Sequence, residues 1–183
     1  MSEVHVRAGI DRLLAGEADH LRGAACGLIV HPASVASDLT FSADALLGAG
    51  FDVRALFGPQ HGARGEKQDN MIESELYSDP ASGLPVHSLY GDVRKPTPEM
   101  LHGLEVILSD LQDVGVGVYT FVWTMALAME ACAEAGVRFV VLDRPNPIGG
   151  VGVEGPVLRV GFESFVGLHP IPLRHGLTCG ELA

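Results

Sequence analysis

The stretch FDVRALFGPQHGARG, Phe51 to Gly65, decides how the rest of the chain is read. Its first half is mostly apolar, as in a strand buried in a sheet. The run breaks at Gly58-Pro59. An amide, an imidazole and a guanidinium follow at once, at Gln60, His61 and Arg64, among Gly58, Gly62 and Gly65. A plain turn has no need of that chemistry. A strand that ends this way points to a ligand site beyond the carboxyl edge of a sheet, where glycine lets backbone approach closely.

The same pattern recurs on both sides. CGLIVHP (26–32), PVHSLYG (85–91), EVILSDLQ (105–112) and VRFVVLDRPNP (137–147) read as further strands. Helical patterns separate them. TFSADALLGAG (40–50) offers Ser42 as N-cap and ends in glycine. TPEMLHGL (97–104) opens with a capping threonine and with Pro98 at the first helical position. VWTMALAMEACAEAG (122–136) is amphipathic and closes at Gly136. Residues 62–84 are polar, broken by Pro80 and Gly83, and read as a long loop of the kind that serves function. Strands alternating with helices predict an α/β fold, with a mostly parallel sheet covered on both faces. In such a fold His31, Gln60-His61, Tyr90, Asp110 to Asp113 and Asp143 to Asn146 all follow strands and meet at one rim.

Composition narrows the function. The formal net charge is −11, from 12 Lys and Arg against 23 Asp and Glu. That disfavours a nucleic-acid backbone or an anionic membrane as partner. It leaves room for a local basic pocket that takes an acidic substrate. Cys26, Cys132 and Cys179 are widely spaced and read as buried free thiols. MSEVHVRAGIDRLL has no apolar signal-peptide core, and no apolar run reaches the ~20 residues of a membrane span, so a cytoplasmic protein is expected. GVGVY (115–119) lacks the dinucleotide spacing, and no phosphate-cradle or serine-nucleophile motif occurs, so no cofactor is expected.

The candidate groups each carry two readings. His61 either handles a proton and positions substrate, or bonds the turn that holds it. Asp110 and Asp113 either bind sugar hydroxyls, act as acid or base, or hold a metal, or they cap the next segment. Asp143 and Arg144 either meet substrate or pair with each other. Glu154, set in a sparse glycine-flanked loop, would have a raised pKa if that loop is dry, as suits a general acid. Glu130 sits among apolar residues of a helix, and a solvated face is the alternative. His175 either closes a pocket or caps a turn. Trp123 is a core residue or a platform for a sugar ring. A metal-assisted hydrolase using His61, His87, Asp110 and Asp113 lacks close ligand spacing, so no metal is expected.

Taken together, FGPQHGARG, RKPTPEML, DLQDVGVGVYTF, LDRPNPIGG, VEGPVL and FVGLHPIPLRHGLTCGEL resemble, in order, the NamZ-type exo-β-N-acetylmuramidases. The resemblance runs from about residue 7 to the last residue. It implies a Rossmann-like N-terminal domain, a smaller C-terminal domain and a cleft between them. Family proteins are roughly twice this length, so residues 1–160 are expected to form the Rossmann-like domain. Residues 161–183 would be a linker and the start of a truncated second domain. Thr178 and Glu181 have the spacing of a capping box at a helix start.

The implied activity is release of N-acetylmuramic acid from non-reducing ends of peptidoglycan fragments. This length alone would be inactive, and a face left by the missing domain could make a homodimer. Two positions depart from the family pattern. Gln60 stands where the family has a glutamate before the histidine, and Gly117 where it has arginine. The alternative is therefore a protein that binds muropeptides without hydrolysing them. For hydrolysis the expected acids are Glu154, Asp113 and Glu130, in that order. Gln60 and His61 would orient the sugar and leaving oxygen. Arg64 or Arg144 would meet the lactyl carboxylate. Asp110, Tyr119, Thr120, Asp143, Asn146 and His175 would complete the binding shell.

Overall fold

The computed structural model describes residues 6–65 and 77–183. Among these, one six-stranded sheet has the order β3-β4-β2-β1-β5-β6. Its members are β1 (Cys26–Val30), β2 (Val53–Gly58), β3 (Tyr77–Ser78), β4 (Pro85–Ser88), β5 (Val106–Asp110) and β6 (Arg138–Val141). All neighbouring pairs are parallel except β3 with β4. The expected α/β fold with a mostly parallel sheet is therefore observed. The expected loop at 62–84 contains β3, and residues 66–76 of it lie outside the described residues.

The sheet is covered on both faces, and side-chain alternation explains how. Leu28, Val30, Leu56 and Leu108 point to one face and pack with Ile10 and Leu13 of α1 (Gly9–Leu14) and with Ala43 and Leu46 of α2 (Ser42–Gly48). Ile29, Phe57 and Ile107 point to the other. There they meet Leu101 of α3 (Pro98–Leu101) and Phe121, Met125 and Ala128 of α4 (Thr120–Ala135). Both faces being apolar is why the central strands read as continuous Val/Ile/Leu runs.

Local signals fix the helix ends. Thr97 Oγ1 accepts the Met100 N–H, with Pro98 following it. α4 stops at Gly136 in the left-handed region, at φ 69°. Ser42 is not the cap of α2. Phe41 holds that place, and Ser42 is the first helical residue, buried, with its hydroxyl donating to Asp110. A long-range carboxylate outcompetes the local capping role.

Residues 151–183 add β7 (Glu154–Val157), β8 (Pro172–Arg174) and α5 (Cys179–Leu182). β7 and β8 pair antiparallel, and Arg174 bridges back to Val116. The Gly117 N–H donates to Leu173 O at 2.7 Å, so this ribbon is fastened to the segment leaving β5. Thr178 and Glu181 form the expected capping box. Cys26, Cys132 and Cys179 are buried free thiols, pushed up to about 11, 11 and 12 by burial, and thus unreactive.

Candidate active site

The strand order reverses between β1 and β5, which is where open α/β sheets usually take a ligand. Here the chain fills that crevice itself. Arg144 Nε and Nη2 donate to the two oxygens of Asp110 at 2.7 and 2.9 Å, and Nη2 also reaches Val35 O at 2.7 Å. Asp110 is fully buried and takes the Ser42 hydroxyl as well, while its carbonyl takes that of Ser34. His31 stands beside them. Its Nε2 accepts the Gln112 N–H at 3.0 Å, and its ring lies 4.6 Å from that of Phe121. Asp110 and Arg144 thus pair with each other. Asp143, which one sequence reading pairs with Arg144, instead accepts from Thr178 Oγ1 at 2.7 Å and from the Gly180 N–H at 2.8 Å, holding the start of α5.

His31 carries a pH dependence. Burial, aided by the positive charge of Arg144, pushes its pKa down to about 4. The unfolded imidazole takes a proton near 6.5, so between the two values the unfolded chain binds more protons. Stability from neutral His31 is therefore complete above pH 6.5 and falls as pH drops toward 4, by about 3 kcal/mol in all. Urea midpoints across that range should show the slope, and His31→Gln should flatten it. A slope that the substitution leaves intact would assign it to other groups.

The open part of the rim lies beside β2 and the start of α4. Thr120, the first residue of α4, donates its hydroxyl to Gln60 Oε1 at 3.3 Å. Thr120 thereby occupies the amide oxygen, so Gln60 presents N–H donors to a ligand. His61 is exposed and holds φ at 74°, a left-handed position that non-glycine residues seldom take. Tyr119 precedes α4, half-buried. Burial, and then the charge of Asp113, raise its pKa, so it stays a phenol able to donate.

The expected acids are in three different settings. Asp113 is buried, accepts the Gly115 N–H at 2.7 Å and lies 3.0 Å from His175 Nε2. His175 Nδ1 accepts the Leu177 N–H at 3.2 Å. This pair ties the β5 exit to the segment after β8, a role that neither residue's local sequence signals. Glu130 is exposed on α4, about 15 Å of helix rise beyond Thr120, and pairs with Lys95 at 3.4 Å. Its solvated-face reading is the one observed. Glu154 opens β7 with its side chain 69% exposed, 3.0 Å from Arg174 Nη1. The dry surroundings expected for it are absent.

Arg64 is clamped by Asp44 and Asp79, with closest approaches of 2.7 and 2.6 Å, and lies 4.2 Å from the Phe41 ring centre. Asn146 bonds Leu177 O and the Ile148 N–H. Trp123 is buried, its indole N–H given to Gly117 O at 2.9 Å, and is a core residue. Among the described residues no group of three or more His, Cys, Asp and Glu is arranged to hold a metal ion. None of their helices is long and apolar enough to cross a membrane.

Known proteins match this chain closely. It is 51% identical over 179 residues to the peptidoglycan beta-N-acetylmuramidase NamZ of Bacillus subtilis, covering 97% of this chain and 43% of that protein. Two DUF1343 family crystal structures from Bacteroides fragilis share the fold. One superposes with a TM-score of 0.90 at 44% identity, the other with 0.83 at 32%. Each alignment covers 98% of this chain, and 45% and 46% of the respective relative. The chain thus spans less than half the length of these relatives. The family described as exo-beta-N-acetylmuramidase NamZ, N-terminal, matches residues 26–183. The chain therefore belongs to that family.

Proposed function

We propose that the full-length protein is an exo-β-N-acetylmuramidase, a glycoside hydrolase that removes N-acetylmuramic acid from the non-reducing ends of peptidoglycan fragments. The observation that carries this reading is the 51% identity to a peptidoglycan beta-N-acetylmuramidase over 97% of the chain. The open rim supports it, because Gln60, His61, Tyr119 and Thr120 gather sugar-binding hydrogen-bond groups beside β2. The relatives are more than twice as long. We assign the activity to the full-length protein, and expect the 183 residues alone to be inactive.

Glycoside cleavage needs a proton donor at the leaving oxygen and usually a second carboxylate. In this reading Glu154 is the acid. Of the three expected carboxylates, Asp113 is buried against His175 and Glu130 stands far along α4, whereas the one ion pair of Glu154, with Arg174, is at the surface. Glu154 is solvent-accessible and sits on the ribbon fastened to residues 116 and 117, a few residues before Thr120. Gln60 hydrogen-bonds the leaving oxygen through its amide N–H.

The second reading, a binding protein without turnover, draws on Gln60 alone. An amide donates a hydrogen bond but does not transfer a proton as a carboxylic acid does. Gln60→Glu separates the two. If the wild type already hydrolyses, a second proton donor at this position should raise kcat by about tenfold or more, within the range of general acid catalysis. Activity only in Gln60→Glu would favour the binding protein. Equal rates in both would remove position 60 from the chemistry.

A further inference from the structure

The two arginines that the sequence offers for an anionic sugar substituent are both engaged by carboxylates of the chain, Arg64 by Asp44 and Asp79, Arg144 by Asp110. Arg94 is placed differently. It lies in the irregular loop that leaves β4. The Leu89 N–H at the start of this loop donates to Gly58 O at 2.8 Å, two residues before Gln60. The next residue, Lys95, reaches Glu134 of α4 at 2.8 Å. Both ends of the Arg94 segment are therefore fastened, one of them beside the open rim.

Two rings hold the guanidinium. Its central carbon is 4.2 Å from the ring centre of Tyr90 and 4.2 Å from that of Phe165, and the rings are 5.8 Å apart. With that spacing the rings form a corner around the cation rather than a sandwich. Arg94 Nη1 is buried and makes no hydrogen bond, and among the described residues Arg94 has no carboxylate partner. Aromatic faces attract a cation but do not fill its N–H donors. A buried unfilled donor is costly, and a charged acceptor removes that cost with a strong, directional pair.

We propose that Arg94, positioned by Tyr90 and Phe165, receives a carboxylate carried by the sugar bound at the Gln60 rim, and so selects an acidic sugar over its neutral counterpart. This rests on the muramidase reading. N-acetylmuramic acid is N-acetylglucosamine with a lactyl ether, and that ether carries the carboxylate. Phe165 belongs to an irregular segment in which Glu163, Ser164 and Val166 are exposed. Arginine suits the task because its planar fork matches both carboxylate oxygens.

The test is calorimetric titration of the full-length protein with N-acetylmuramic acid and with N-acetylglucosamine at pH 7. The wild type should prefer the acid. Arg94→Met should weaken N-acetylmuramic acid binding about 10- to 100-fold, the size of one charge-assisted pair. N-acetylglucosamine binding should not change. Arg94→Lys keeps the charge and the ring contacts but loses the fork, and should fall between the two; it also stands in if the methionine variant does not fold. A wild type without preference overturns the proposal, and so does a preference that survives both substitutions. Equal losses for both sugars would make Arg94 a structural staple only. Turnover by the wild type keeps the two ideas apart. Hydrolysis of a muramide with an Arg94-independent preference sinks this proposal alone, whereas Arg94-dependent binding without hydrolysis sinks the muramidase reading alone.

Discussion

Replacing Arg144 by alanine should destabilise the protein by about 3–5 kcal/mol, the usual cost of breaking a buried ion pair from one side. Asp110 is fully buried and holds Arg144 through two hydrogen bonds of 2.7 and 2.9 Å. Without the guanidinium its charge stays in the core with only the Ser42 hydroxyl as side-chain partner. For a domain of this size the loss corresponds to a fall in Tm of about 6–20 °C. A paired replacement, Asp110→Leu with Arg144→Met, should recover most of it, since an apolar pair of similar volume avoids desolvating charge. A drop below about 1 kcal/mol in the single variant would mean that the pair is not buried as described.

Converting Glu154 to glutamine in the full-length protein should lower kcat by about 10²- to 10⁴-fold, the contribution of a positioned general acid. KM should change little, because the amide keeps the shape and much of the hydrogen bonding of the acid. The Arg174 contact confounds stability only slightly, since an exposed ion pair is worth about 0–1 kcal/mol. An unchanged rate would take Glu154 out of the chemistry.

The central sheet was legible because its strands are buried on both sides. Cys26–Val30 and Val106–Asp110 are buried at every position, so an unbroken apolar run could be read directly. The rim followed, since parallel strands deliver their exits to one edge. The ribbon was not legible. β7 is the exposed sequence EGPV, with glycine and proline inside it, and it exists because residue 154 pairs with residue 174. α1 was missed because a six-residue helix gives barely two turns of periodicity, here Ile10 and Leu13.

The site shows the same division between local and long-range causes. That Gln60 and His61 lie at a strand exit could be read from their neighbours in sequence. That Thr120 holds Gln60 could not, because the bond spans 60 residues. For the same reason the sequence alone leaves Arg64 free for substrate, and Arg144 either free or paired with the wrong carboxylate, Asp143. Their carboxylates at Asp44, Asp79 and Asp110 lie 15 to 34 residues away, and no short-range pattern announces them. Arg94 stood in a quoted motif, but its unfilled nitrogen becomes visible only once Tyr90 and Phe165 are seen around it.

The most direct test of the muramidase reading is turnover of a chromogenic β-N-acetylmuramide by the full-length protein, with the matching β-N-acetylglucosaminide as control. Chromophore release from the muramide and not from the glucosaminide is expected, with Gln60 in place. No release from the muramide, by a folded protein that still binds N-acetylmuramic acid, would contradict it and leave a binding protein in its stead.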